Sequence, residues 1–283
     1  MLRQRVLSSI VFVPILIAAI WFGNPWFSIV VAIAALLGAL EFYNMVSQRG
    51  WQPLAIFGTL WTLFFIFNAY YDPSYTSEST KLLVTLSLVA SAVVIPLLWV
   101  VFLRSTRERV SHRSPVSSPH VFLSWASSMA GVFYIGWLLS YWVLIMNSYG
   151  RDWVFIALFS TFAVDTTAYF VGRAFGRHKM APKVSPGKTW EGAAGGLVGA
   201  LVVVVVLSVL LDVDIRYSKM ILLGFLIAVF AQLGDLAESK LKRSVGVKEA
   251  GNLIPGHGGI LDRLDSIVFT GVVVYYCLKW FIG

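Results

Sequence analysis

The sequence predicts an all-α, polytopic integral membrane protein of about nine transmembrane helices, with its N-terminus in the cytoplasm and its C-terminus external. Composition is the first reason. Apolar residues make up 58% of the 283-residue chain and charged residues 13%, where soluble domains hold about 45–50% and 25%; mean hydropathy is +0.78. So few charges cannot give a chain of this length a water-facing surface, which excludes a soluble, disordered or coiled-coil protein. The single cysteine, Cys277, excludes an internal disulfide and a cysteine metal cluster. The other two reasons are a series of apolar stretches near the ~20 residues a spanning helix needs, and the way the cations sort between them.

The stretches are Val6–Phe22, Trp26–Val46, Leu54–Tyr71, Leu82–Leu103, Val121–Met146, Trp153–Phe175, Gly192–Leu211, Ile221–Leu236 and Ser266–Ile282. None shows the period-two alternation of a membrane barrel strand. The first follows the basic start Met1-Leu2-Arg3-Gln4-Arg5 but has no small-x-small cleavage site after it. Gly23-Asn24-Pro25 reads instead as a turn into a second spanning helix. The eighth is short and runs into charge. Alternating the nine stretches puts 17 of the 22 Lys and Arg on one side, and that side is cytoplasmic by the positive-inside rule. The net charge of +8 belongs mostly to those inner loops, where anionic lipid or nucleotide could also use it. The segment Arg104–His120, basic and rich in Ser and Pro, reads as such a loop beside anionic head groups. No internal repeat stands out, which weakens a transporter built from inverted halves.

Polar signals concentrate in the second half. In the first, Glu41 is the exception: an acid near the inner end of the second stretch, read as snorkelling, structural or part of a site. In the sixth, Asp165, Tyr169, Gly172 and Arg173 fall on one helix face. An acid among apolar residues costs several kcal/mol unless paired or solvated, so Asp165 is a candidate by default. The loop Gly176–Gly192 then carries Ser185-Pro186-Gly187-Lys188-Thr189. It is not a P-loop: Pro182 stands where that motif has its first Gly, and a membrane helix rather than a strand precedes it. A basic, hydroxyl-bearing loop entering a helix N-terminus nonetheless suits phosphate. Gly192/Gly196 and Gly195/Gly199 are small-xxx-small pairs that permit close helix packing. Asp235, Glu238, Ser239 and Lys242 form a polar stripe at the end of the eighth stretch. After it come the flexible turn Pro255-Gly256-His257-Gly258-Gly259 and the run Asp262-Arg263-Leu264-Asp265. Two nearby carboxylates on one helix face favour a cation between them, and hard oxygen ligands suit Mg²⁺.

From Ser239 onward the chain resembles the phosphatidate cytidylyltransferases (CDP-diacylglycerol synthases). The residues that carry the likeness are Ser239, Leu241, Lys242, Arg243, Lys248, Pro255, His257, Gly258, Gly259, Asp262, Arg263, Leu264 and Asp265. Glu249 stands where the family has Asp, keeping the charge on a longer arm. Asp165, the Ser185–Thr189 run and Gly192 also look like this family. The likeness is specific over roughly residues 160–266, while the N-terminal half matches only in hydropathy. The resemblance implies transfer of CMP from CTP to phosphatidic acid, giving CDP-diacylglycerol and pyrophosphate with Mg²⁺, in the cell (inner) membrane. It implies Asp235, Asp262 and Asp265 at the metal, with Lys188 and Arg243 also catalytic. Lys188, Lys242, Arg243, Arg263, Ser185, Thr189 and Asp165 would bind substrate, with His257 as a pyrophosphate donor or a stabiliser of the turn. Spans one to five (1–150) would then be an N-terminal transmembrane region and 151–283 the catalytic one. The partners would be CTP, phosphatidic acid and membrane lipids, with no nucleic acid, and a homodimer is possible. A CTP-dependent lipid kinase and a cation- or proton-coupled transporter using the intramembrane acids remain open as alternatives.

The cation sorting makes a prediction about topology. A reporter fused after Gly283 should read as external and one within Arg104–His120 as cytoplasmic; both on one side would mean the span count is off by one.

Overall fold

The computed structural model describes residues 2–71, 77–104, 118–253 and 258–282. In chain order its elements are α1 (Leu2–Phe22), α2 (Trp26–Ser47), α3 (Ala55–Tyr70) and α4 (Glu78–Leu98), which runs on into a π-helical turn (Trp99–Arg104). Then α5 (Ser118–Gly131) joins through a second π-helical segment (Val132–Trp137) to α6 (Leu138–Tyr149). After α7 (Arg151–Phe175) come two short strands, β1 (Lys179–Ala181) and β2 (Ser185–Thr189). The last elements are α8 (Trp190–Leu210), α9 (Tyr217–Val245) and α10 (Leu261–Ile282). Seven helices among the described residues are long and apolar enough to cross a membrane, and Ile10–Phe22 and Ala55–Tyr70 are shorter apolar helices. Most of segment Arg104–His120, and Pro255, Gly256 and His257 of the glycine turn, lie outside the described residues.

Helix ends follow local chemistry. Gly150, with φ of +89°, separates α6 from α7, whose first turn carries Asp152 against the positive helix end. Thr189 caps α8 by accepting from the Gly192 N–H at 3.1 Å. Gly246 closes α9 in the left-handed conformation, with Lys242 and Arg243 in the last turn, where cations offset the negative end.

The structure departs from the sequence expectation in two places. The loop after the sixth stretch holds a two-stranded antiparallel hairpin, with Lys179 opposite Thr189 and Ala181 opposite Ser185. Its reversal has Pro182 at the second position of a turn closed by Val184 N–H to Ala181 C=O, 3.1 Å. Five residues with three polar ones, a Pro and a Gly carry no readable strand pattern. Secondly, the short eighth stretch is only the apolar part of α9, which continues through its charged end to Val245. That polar stripe is therefore helical.

The C-terminal helices pack through small residues. A Cβ at Gly192 would come 2.8 Å from Ala168 C=O, one at Gly195 2.6 Å from Val171 and one at Gly196 3.1 Å from Val164. The paired glycines thus let α8 lie directly on α7. On the other side, α6 reaches α10 through Trp142, whose indole N–H donates to Ile267 C=O at 3.0 Å. A Cβ at Gly271 would meet the same indole at 2.5 Å. The α7–α8 contact is open to test. Gly195→Ala should destabilise by about 1–3 kcal/mol through overpacking, read as a lower melting temperature in detergent, and Val171→Ala in the same chain should recover part of the loss.

Candidate active site

The C-terminal half of α9, the first turns of α10, the end of α7 and the hairpin meet around one cavity of about 1220 Å³. The hairpin brings Lys188 to α9. Its Nζ lies 2.7 Å from Asp235 Oδ2 and 3.5 Å from Gln232 C=O. Ser239 Oγ donates to the other Asp235 oxygen at 3.3 Å. One turn further on, Lys242 Nζ stands 2.6 Å from Asp262 Oδ1 and 3.2 Å from Glu238 Oε1, with side-chain exposures of 11%, 10% and 0% for Lys242, Asp262 and Glu238. Asp262 also accepts from the N–H of Ala250 and, at 2.9 Å, of Gly259. Both its oxygens are thereby engaged, and the start of α10 is tied to the end of α9. Asp265 accepts from Ser266 N–H at 2.8 Å, and the Ser266 hydroxyl donates to Asp165 at 3.1 Å. Asp165, Asp235 and Asp265 are close enough to repel one another electrostatically.

The sequence candidates separate into three groups. Asp165, Ser185, Lys188, Thr189, Asp235, Asp262, Arg263 and Asp265 all line the cavity. Lys242 and Arg243 do not. Lys242 is held in the ion pairs behind the wall, and Arg243 donates to Val184 C=O at 3.4 Å and Val247 C=O at 3.0 Å. Arg243 thereby ties the hairpin turn to the end of α9. His257 lies outside the described residues. Glu249 is exposed, and a Cβ at Gly258 would stand 3.7 Å from its carboxylate.

Two cavity cations were absent from the sequence-based set. Arg173, whose guanidinium donates to Tyr169 OH at 3.1 Å, and Lys179 both line the cavity. Arg173 was within reach of sequence reasoning, since it shares a helix face with Asp165. Lys179 was not, because its direction is set by the hairpin register. The cavity's other end is apolar: Phe12 and Leu16 of α1, Val30 and Ala34 of α2, and Leu158 and Phe162 of α7 line it.

For a metal, no ready-made group of three His, Cys, Asp or Glu ligands exists among the described residues. The donor chemistry still fits a hard divalent cation. Three mutually repelling carboxylates face one cavity, Lys188 is 2.7 Å from one of them, and oxygen-only donors suit Mg²⁺.

Known proteins bear on this arrangement. The sequence pattern of the cytidylyltransferase family matches residues 3–281. A phosphatidate cytidylyltransferase of Bacillus subtilis is 44% identical over 150 residues, covering 52% of this chain and 56% of that protein. One from Synechocystis is 32% identical over 96% of this chain and 95% of its own length. One from Haemophilus influenzae is 34% identical over 99% of each. With one family pattern spanning residues 3–281 and two relatives aligned over nearly their whole length, this chain belongs to the cytidylyltransferase family.

Proposed function

We propose that this protein transfers CMP from CTP to phosphatidate, forming CDP-diacylglycerol and pyrophosphate for phospholipid synthesis. The observation that carries this reading is the two-ended cavity. One continuous space joins a charged end, with Lys188, Arg173, Lys179 and Arg263, to an apolar end between α1, α2 and α7. A water-soluble triphosphate and a lipid phosphate need such a shared space to react. The relatives' names point the same way, as does the Ser239–Asp265 signature. The reaction runs at the cytoplasmic face of the cell (inner) membrane, in a chain of nine spans with its N-terminus inside and its C-terminus external. The 17 inner cations support that orientation.

In the reaction an oxygen of the lipid phosphate attacks the α-phosphorus of CTP. The bond from that phosphorus to the bridging oxygen breaks, and pyrophosphate leaves with the electron pair. The nucleophile is already an anion, so no strong base is required. The protein's work is alignment and charge neutralisation. Lys188, carried by the hairpin, and Arg263, on the first turn of α10, meet the triphosphate. Arg173 and Lys179, at the hairpin's edge, hold the lipid phosphate where the apolar end begins. Asp235 and Asp265 would hold Mg²⁺, with Asp165 beside them, and Asp262 would join only by giving up Lys242. The ion would supply charge stabilisation at the attacking and leaving oxygens. Lys242 and Arg243 fix the end of α9 against α10 and the hairpin.

The test is direct. Purified protein in detergent with phosphatidate should move label from α-labelled CTP into the organic phase, and none from γ-labelled CTP. Label from the γ position would instead indicate a lipid kinase, and no lipid label at all would favour the transporter.

The site generates two further expectations. Asp265→Asn keeps the side-chain volume and should lower turnover by about 100-fold or more. It should also shrink the rise in melting temperature that Mg²⁺ gives the wild type, because binding to the native state alone raises apparent stability. If both survive, the acids are a helix-end charge cluster. Lys188→Ala should weaken CTP use sharply while Lys188→Arg keeps part of it; equal loss in two folded variants would mean that lysine geometry, rather than charge, is required.

A further inference from the structure

Glu41 lies on α2, in the half of the chain that supplies no charged group to the cavity wall among the described residues, yet its side chain is in contact with the turn that builds the site. The residue is 5% exposed. Oε2 accepts from the Leu261 N–H at 2.9 Å. Oε1 has no hydrogen-bond partner among the described residues. The carboxylate is wedged between the two ends of the glycine-rich turn. A Cβ at Gly251 would come 2.5 Å from Oε1, and one at Gly259 would collide with Oε2 and stand 2.9 Å from Cδ. At both glycines the three nearest atoms belong to Glu41. Neither has a positive φ, so their backbone would accept alanine. The first atoms an added methyl would meet are those of Glu41.

The Leu261 N–H is one of the unpaired donors at the start of α10, and an acid there is favoured by the helix dipole. Asp262 and Arg263 share that first turn, Asp265 follows it, and all three line the cavity. Asp262 in turn accepts from the N–H of Ala250, which precedes Gly251, and from that of Gly259 itself. The carboxylate therefore sets both ends of the turn and the start of α10 as one unit. We infer that Glu41 is a positioning residue for the nucleotide end of the cavity, acting through the turn and Leu261 on Arg263 and Asp265. The inference rests on the proposed transfer from CTP.

A paired substitution series tests it, with KM for each substrate and the melting temperature as readouts. E41Q keeps the length and an acceptor but loses the charge. It should raise KM for CTP about tenfold and lower kcat, since small misplacements at a reacting centre cost up to about 100-fold. KM for phosphatidate should stay within about twofold, because the apolar end is lined by α1, α2 and α7. G259A should reproduce the CTP defect in an otherwise unchanged chain. G259A combined with E41D, one methylene shorter, should recover part of it, while G259A combined with E41Q should not. The idea is overturned if folded E41Q keeps wild-type kcat and KM for CTP, or if it melts lower with both constants intact, since Glu41 would then be merely structural. Additive effects of G259A in the E41D and E41Q backgrounds would also overturn it, and they remain measurable by melting if E41Q folds poorly. The wild-type label assay tests the reaction separately.

Discussion

The contact between Lys242 and Asp262, 2.6 Å from Nζ to Oδ1 and almost closed to solvent, is the constraint on which the rest of the site depends. Neither charge can remain at a helix end packed in an apolar bundle without its counter-charge. Removing one partner of such a pair costs about 3–5 kcal/mol, because the other is left buried and unpaired. The pair joins the last turns of α9 to the first turn of α10. Those helices must therefore approach where α9 ends and α10 begins, and the connection 246–260 links them. Among the described residues of this connection are glycines at 251, 258 and 259. At Gly258 the φ of +82° itself requires glycine, whereas at Gly251 and Gly259 a neighbouring carboxylate takes the space.

Once α9 and α10 are joined, the acids of both helices necessarily crowd one face of the cavity. Their repulsion has to be met from outside those helices. The hairpin does so by placing Lys188 on Asp235, and it is itself held by Arg243 through Val184. The same hairpin carries Lys179 to the cavity edge, where Arg173 arrives from α7. A cation-rich rim over an acidic floor, opening onto an apolar space between helices, is an arrangement suited to phosphates at a lipid boundary. In neither α9 nor α10 alone would these charges be stable.

The N-terminal half is bound into this arrangement rather than merely packed beside it. Through Glu41 it satisfies the start of α10, and through Trp142 on α6 it grips the same helix at Ile267, just beyond Asp265. Its helices α1 and α2 also wall the apolar end of the cavity.

What the sequence determined by itself follows from solvent and charge. An apolar content of 58% with 13% charge permits only a helical membrane chain, and the spacing of Asp165 with Arg173, and of Asp235 with Glu238 and Lys242, was legible because helical periodicity is local. The glycine pairs on α8 were legible for the same reason. Long-range partners were not. That Lys242 meets Asp262, that Arg243 meets the hairpin turn and that Glu41 meets the start of α10 all depend on residues up to 220 positions apart. A hairpin of three and five residues, with Pro and Gly inside it, leaves no periodic trace, so the place of Lys179 was hidden as well. Only the tertiary structure decided these, because a buried charge is assigned by the nearest counter-charge in space, and neighbourhood in space is not written in the local pattern.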